Sequence, residues 1–205
     1  MTTELSVGES VLALAKGDIT QIPADVIVNA ANESLSGGGG VDGAIHRAGG
    51  TQIMGDLQRR YGKRRQCPTG SAVVSEAGNL PAKWVVHAVG PRWRGGNFLE
   101  SDLLWSAYRS SFHLADQLGA KTVTFPAIST GIYGYPVDKA APVIVSALKE
   151  GLERAESVER ATLVLFTAGP LAIFEAALQE IASLGSIRSY EPDPGQDDDQ
   201  TGPDV

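Results

Sequence analysis

The chain has 205 residues, of which 42% are hydrophobic; this is long enough for one well-buried domain and short for two. The formal net charge is −7, but six of the 24 acids lie in residues 191–205, so 18 acids and 17 basic residues remain elsewhere. Composition therefore gives no sign of a strongly charged partner for the folded part. No run of 18 apolar residues occurs, which predicts no membrane span.

Residues 191–205 contain no Lys or Arg, are rich in Pro and Gly, and offer almost no apolar surface. Such a segment has too little hydrophobic area to fold. We expect one domain over residues 1–185 and a disordered acidic tail over residues 186–205. The single cysteine, Cys67, and the lack of a signal-peptide pattern predict a cytoplasmic protein.

Apolar, β-rich segments alternate along the chain with segments of helical periodicity. Most of the strand segments are continuously apolar, which favours strands that are covered on both faces. The pattern predicts a three-layer α/β/α domain with a mixed, mostly parallel sheet. The predicted strands are 11–15, 25–31, 71–76, 84–89, 122–127 and 161–166, and the predicted helices are 41–49, 100–119, 137–152 and 170–185.

Four consecutive glycines, Gly37 to Gly40, lie between a predicted buried strand and the helix 41–49. On its own, a run of four glycines is equally typical of a flexible linker. Here it opens a helix, where free backbone N–H groups and the helix dipole favour a bound anion, phosphate above all. The spacing formally satisfies the dinucleotide-binding pattern G-x-G-x-x-G. That pattern should directly follow its strand and have an acidic residue about 20 residues later. Here the strand is not adjacent and the later segment is basic, which excludes a Rossmann site.

A second loop suited to phosphate follows the predicted strand 122–127. Its sequence, "ISTGIYGYP", supplies Ser129, Thr130 and Gly131 before Pro136 opens the next helix. In an α/β sheet, ligands bind outside the carboxyl ends of the strands. Two such loops at strand ends could hold a diphosphate from both sides.

Five motifs occur in order along the chain: "KGDIT" (16–20), "IVNAAN" (27–32), "GGGGVDGAIHRAGG" (37–50), "LPAKWVVHAVGP" (80–91) and "PAISTGIYGYP" (126–136). Together they resemble the macrodomain family, and specifically its MacroD-type ADP-ribosyl hydrolase branch. The resemblance covers about residues 11 to 184. It implies a six-stranded mixed sheet, ADP-ribose in a cleft at the strand ends, and chemistry that needs no metal or cofactor.

The resemblance also implies roles for individual residues. Asn32 and Asp42 match the pair that holds the distal ribose, and His46 lies on the same helix face as Asp42; a packed core histidine is the alternative for His46. Asp18 resembles the acid that binds adenine, unless it is a helix or turn cap. Phe166 is placed to stack on that base, unless it is a core residue. The remaining expected ligand contacts are Ile19, Asn29, Gly38, Gly39, Gly40, Val41, Ser129, Thr130, Gly131, Ile132 and Tyr133.

The leading hypothesis is an enzyme that binds ADP-ribose and hydrolyses the link between its distal ribose and an acyl group or an acidic protein side chain. Its partners would be ADP-ribose and mono-ADP-ribosylated substrates, with the protein acting as a monomer. One alternative is a reader that binds without cleaving. Another is removal of ADP-ribose from thymidine-linked DNA, for which the basic segment 59–65 is the only sequence indication; a solvated loop also explains that segment.

Overall fold

The computed structural model describes residues 3–187, and within them seven strands form one mixed sheet. The order across the sheet is β1-β2-β7-β6-β3-β5-β4. The five inner strands β2, β7, β6, β3 and β5 are parallel to one another, whereas each edge strand is antiparallel to its neighbour. The strands are β1 (Thr3–Val7), β2 (Ser10–Lys16), β3 (Val26–Ala30), β4 (Ala72–Glu76), β5 (Trp84–Ala88), β6 (Thr122–Pro126) and β7 (Arg160–Leu165).

Five α-helices lie in the same part of the chain and cover both faces of the sheet. The first two helices pack on one face, and the other three pack on the opposite face. The predicted three-layer α/β/α arrangement is therefore confirmed. The helices are α1 (Gly40–Gly49), α2 (Thr51–Tyr61), α3 (Glu100–Gln117), α4 (Val137–Arg154) and α5 (Ala168–Ile187).

The inner strands are buried on both faces because each face carries its own apolar core. Alternate residues of β3 show this: Val26 and Val28 belong to the core under α3, α4 and α5, whereas Ile27 belongs to the core under α1 and α2. Since side chains alternate along a strand, Asn29 points to the same face as Ile27. A buried polar side chain is thereby placed under α1.

The prediction of six strands missed β1, so the sheet has seven strands within the described residues. The segment "TELSV" has only two apolar residues, Leu5 and Val7, and it forms an edge strand that is partly exposed. Its hairpin turns through Gly8, whose φ of +60° lies in the left-handed region. An edge strand needs fewer apolar residues than an inner one, which explains why a search for apolar runs did not find it.

The helix α2 was also not predicted, and it changes the interpretation of the basic segment 59–65. Arg59 and Arg60 lie in the last turn of α2 and form ion pairs with Asp56 of the same helix. Only residues 62–65 of the segment belong to a loop. The helix starts directly after Gly50, whose φ of +81° lets the chain leave α1 and turn at once into α2.

The predicted acidic tail lies almost wholly outside the described residues, since α5 runs to Ile187. Among the described residues, no helix is long and apolar enough to cross a membrane.

Candidate active site

A cleft of about 340 Å³ opens at the carboxyl ends of β3 and β6, between the two predicted phosphate loops. These strands are parallel neighbours, so their following loops meet at one edge of the sheet. The walls come close: a Cβ placed on Gly39 would lie 3.3 Å from Ile132 Cδ1. The predicted site residues that line the cleft are Asn32, Gly38, Gly39, Gly40, Val41, Asp42, Ser129, Gly131, Ile132 and Tyr133.

The first loop ends at the amino terminus of α1. Gly39 is the N-cap residue and no side chain caps this helix, so the first backbone N–H groups are free to bind an anion. Asn32 shapes the loop, because its Nδ2 donates to the Gly37 carbonyl at 2.8 Å and its Oδ1 accepts from the Ser36 N–H at 3.2 Å. Gly37 has a φ of +77°, a left-handed conformation that glycine adopts without strain.

The second loop contains a strained residue, Ser129, with a φ of +71°. Its side chain is buried, and its Oγ has no hydrogen-bond partner among the described residues. Non-glycine residues in this region cost about 1–3 kcal/mol and are concentrated at functional sites. The hydroxyl of Thr130 instead donates to the Ala127 carbonyl at 2.8 Å, and Thr130 does not line the cleft.

Asp42 lies in the first turn of α1 and is only 6% exposed. Its Oδ1 accepts from Asn29 Nδ2 at 2.7 Å and lies 3.4 Å from His46 Nε2. Its Oδ2 accepts no hydrogen bond within the described residues and lies beside Gly38, 3.1 Å from a Cβ placed there. One carboxylate oxygen is therefore fixed by the protein, and the other is available at the cleft.

Asn29 and His46, both predicted site residues, lie behind Asp42 and do not line the cleft. Asn29 is fully buried on β3, and His46 is one turn along α1 from Asp42. The structure brings both residues to the carboxylate rather than to the space that a ligand would fill. They can orient Asp42 without touching a bound molecule.

His87 is a buried histidine in the motif 80–91, and it was not predicted as a site residue. It stands opposite Asn29 in the parallel register of β3 and β5. Asn29 Nδ2 lies 3.1 Å from His87 Nδ1, and His87 Nε2 lies 2.9 Å from Ser75 Oγ. Burial lowers the pKa of His87 from 6.5 to about 3. His87 is therefore neutral near pH 7.

The hydrogen-bond directions around His87 follow from that neutral state. Asn29 Nδ2 carries two hydrogens, and it donates one to Asp42 and the other to His87 Nδ1. His87 Nε2 then carries the ring proton and donates it to Ser75 Oγ, which donates onward to the Glu76 carbonyl. An ordered row of side chains on β4, β5 and β3 thus fixes the amide that holds the Asp42 carboxylate.

The two residues predicted to contact adenine, Asp18 and Phe166, lie at the ends of two other strands, together with the expected ligand contact Ile19. Asp18 and Ile19 follow β2, and Phe166 follows β7; these strands are parallel neighbours. Asp18 Oδ1 accepts from the Thr20 N–H and caps a short 3₁₀ helix, while Ile19 is buried. Phe166 is 78% exposed, so it is not a core residue. None of the three lines the 340 Å³ cleft.

Gly90 and Arg92 are among the cleft residues that were not predicted individually. A Cβ on Gly90 would lie 2.3 Å from Ser129 Oγ, so only glycine fits against the second loop. The Arg92 guanidinium lies 4.3 Å from the centroid of the Tyr133 ring, and the Trp93 N–H donates to the Tyr133 carbonyl at 2.9 Å. The signal for this segment was "VGP" (89–91), which begins at the last residue of the predicted strand 84–89.

Comparison with known proteins agrees with this arrangement. A family model described as Macro domain matches residues 28–144. An "O-acetyl-ADP-ribose deacetylase 1" of Pantoea vagans is 50% identical over 157 residues, which cover 77% of this chain and 92% of that protein. A macro domain-containing protein of Caldanaerobacter subterraneus is 49% identical over 170 residues, covering 83% of this chain and 97% of that one.

Solved structures show the same fold. The Oceanobacillus iheyensis macrodomain with ADP superimposes with a TM-score of 0.83 at 32% identity, covering 90% of this chain and 98% of that one. The Trypanosoma brucei macrodomain in complex with ADP-ribose has a TM-score of 0.72 at 34% identity, covering 82% and 68%. This chain belongs to the macrodomain family.

Proposed function

We propose that this protein binds ADP-ribose across the cleft and hydrolyses the ester that joins its distal ribose to an acyl group or to an acidic protein side chain. The observation that carries the proposal is the placement of Asp42, nearly buried at the cleft with Oδ1 fixed and Oδ2 available. The relatives named O-acetyl-ADP-ribose deacetylase, which are 48% and 50% identical in sequence, support the same chemistry.

The two loops supply the binding energy for the diphosphate. The N–H groups at the start of α1 lie on one side of the cleft, and the loop from Ser129 to Tyr133 lies on the other. Donors that are fixed before the substrate arrives stabilise its charge without reorganisation. With the diphosphate held, the distal ribose extends past Gly38 toward Asn32 and Asp42.

Asp42 Oδ2 positions a water molecule and accepts its proton as the water attacks the ester. The ester bond to the ribose oxygen breaks, and that oxygen takes up a proton. The products are ADP-ribose and the free carboxylic acid, so one water is consumed for each ester cleaved. Asn29 and His46 keep the carboxylate in place during this step.

We further propose that the protein acts as a cytoplasmic monomer and that the reaction uses no metal or cofactor. The residues named above supply a base, an anion site and a ribose site.

The test is a panel of substrates in which ADP-ribose is linked to acetate, Glu, Ser, Arg or thymidine. We expect release of free ADP-ribose from the acetyl and Glu esters and little from the Ser and Arg linkages. Release from the thymidine linkage alone would favour the nucleic-acid alternative. Tight ADP-ribose binding with no release from any linkage would identify a reader and contradict the proposal.

A further inference from the structure

A second cavity, of about 570 Å³, opens beside the cleft and continues it. The two spaces share Asn32, Gly90, Arg92 and Tyr133 as common walls. The second cavity contains none of the glycines of the first phosphate loop, so it lies on the far side of Asn32 from the diphosphate site. A group attached to a ribose that is bound at Asn32 can therefore extend into this second cavity.

The size of the second cavity exceeds what a small acyl group requires. Sites for drug-sized molecules enclose about 300–1,000 Å³, and this cavity falls within that range. An acetyl group would fill only a small part of it. The space therefore suits a larger acceptor than the one in O-acetyl-ADP-ribose.

The outer wall of the second cavity, residues 91–99, is held in a defined shape by a buried carboxylate. Glu100 is 1% exposed and accepts hydrogen bonds from the N–H groups of Arg94 at 3.0 Å, Gly96 at 3.1 Å and Phe98 at 2.6 Å. The Trp93 ring packs on Tyr135, with centroids 4.5 Å apart. These contacts tie the backbone of this loop to α3 and its Trp93 ring to Tyr135.

The acidic side chains that line the second cavity have hydrogen-bond partners in the protein. The Glu100 carboxylate accepts from backbone N–H groups, and the Glu33 carboxylate accepts from the N–H and hydroxyl of Thr69. In contrast, the exposed guanidinium groups of Arg92 and Arg94 form no ion pair within the described residues. The cavity therefore offers cationic groups that can bind an anion on the acceptor.

The surroundings favour a peptide over a nucleic acid. Proteins that bind nucleic acids present a contiguous positive stripe along the phosphate backbone. Here the exposed Glu33 carboxylate faces the same cavity as the two arginines, and Phe98 adds apolar surface. Two of the basic residues of segment 59–65, Arg59 and Arg60, are already paired with Asp56.

We propose that the second cavity holds the peptide segment to which ADP-ribose is attached, and that Arg94 binds a carboxylate next to the modified residue. This rests on the proposed hydrolase function and specifies its substrate: a protein modified within an acidic segment. Arg92 also favours an acidic segment, but it lines the ribose cleft as well, so its replacement would change both sites. Arg94 lines only the second cavity, and its replacement therefore tests the acceptor site alone.

The experiment uses two peptides that each carry one ADP-ribosylated Glu, flanked in one by acidic residues and in the other by Gln. We expect kcat/KM to be about threefold to fivefold higher for the acidic peptide, the size of one exposed charge pair. Arg94→Gln should remove most of that preference while leaving the turnover of O-acetyl-ADP-ribose unchanged. The matched control is Arg109→Gln, an exposed arginine on α3 that lines neither cavity.

Equal kcat/KM for the two peptides, with normal turnover of O-acetyl-ADP-ribose, would overturn the acceptor site and leave the hydrolase function standing. No release from any substrate would overturn the hydrolase function. In that case the acceptor site is tested by binding alone, with the Asp42→Ala protein and the two intact peptides. Equal affinities for the two peptides would overturn the acceptor site. Stronger, steeply salt-dependent binding of an ADP-ribosylated oligonucleotide that Arg94→Gln weakens would also overturn the assignment to a peptide.

Discussion

At the scale of single residues, the two oxygens of the Asp42 carboxylate have different surroundings. Oδ1 is held by Asn29 and lies near His46, while Oδ2, at the cleft, accepts no hydrogen bond from the described residues. Asn29 is itself fixed by neutral His87, which makes the histidine a positioning residue that acts two hydrogen bonds from the carboxylate. Its effect should appear in the chemical step rather than in ligand binding.

Replacement of His87 tests this role. His87→Phe removes the acceptor for Asn29 and should lower kcat by about threefold to tenfold, the equivalent of one hydrogen bond, with KM within about twofold of wild type. His87→Gln can still accept from Asn29 and donate to Ser75, so it should restore most of kcat. Steady-state kinetics on O-acetyl-ADP-ribose measures both. Equal loss in the two variants would assign His87 to packing alone.

The sequence predicted Asp42, Asn32 and the glycines at the cleft because those residues carry a recognisable pattern and lie at a strand end. It did not separate the residues that line the cleft from those behind it. Asn29 and His46 lie behind Asp42, and this depends on which strand face and helix face turn inward. His87 was not predicted as a site residue because its hydrogen-bond partners, Ser75 and Asn29, are 12 and 58 residues away along the chain. Only the folded structure brings the three together.

At the scale of elements, the loop before α1 can be tested by adding one side chain. Gly39 has a φ of −99°, which any residue adopts, and a Cβ there would meet only the flexible end of Ile132 at 3.3 Å. Gly39→Val should therefore fold, while its methyl groups enter the cleft and crowd the diphosphate.

We expect calorimetry to detect weaker ADP-ribose binding by Gly39→Val and thermal unfolding to stay within a few degrees of wild type. Gly39→Ala is the matched control, since a single methyl group leaves more of the cleft open and should retain more of the affinity. If the valine variant bound ADP-ribose as wild type does, the glycine run would be a linker and not a phosphate loop.

The elements that sequence analysis missed had weak local signals. β1 is a polar edge strand that gains its stability by pairing with β2, and α2 begins immediately after α1 with only a glycine between them. Burial of Ile53 and Leu57 against the sheet defines α2, and such tertiary packing is not visible in a short window of sequence. The inner strands were predicted well because they are apolar on both faces.

At the scale of the whole molecule, the buried polar row predicts how stability depends on pH. His87 has a pKa of about 3 in the folded protein and of 6.5 when exposed to solvent, so below pH 6.5 the unfolded chain binds a proton that the folded chain does not. The free energy of unfolding should therefore fall as the pH falls from 6.5 toward 3. At pH 5 the loss from this residue should be about 2 kcal/mol.

Asp25 adds to this loss at lower pH. The hydrogen bond from Lys83 lowers the pKa of Asp25 from 3.8 to about 2, although burial opposes the shift. The stabilisation from Asp25 is therefore complete above pH 3.8 and is lost as the pH falls through 2. The two residues act in successive pH ranges.

Urea unfolding at pH 7.5 and pH 5 tests the contribution of His87. Wild type should lose more stability between these values than His87→Gln, which has no proton to gain. The same loss in both proteins would show that His87 is not responsible.

The most direct test of the proposed function compares wild type with Asp42→Ala in two assays on the same preparations. One measures release of ADP-ribose from O-acetyl-ADP-ribose, and the other measures the Kd for ADP-ribose by calorimetry. The proposal predicts turnover lower by about 10²–10⁴ in the variant, the usual contribution of a positioned base, with Kd changed by less than about tenfold. An Asp42→Ala protein with wild-type turnover would contradict it and leave Asp42 as a ribose ligand only.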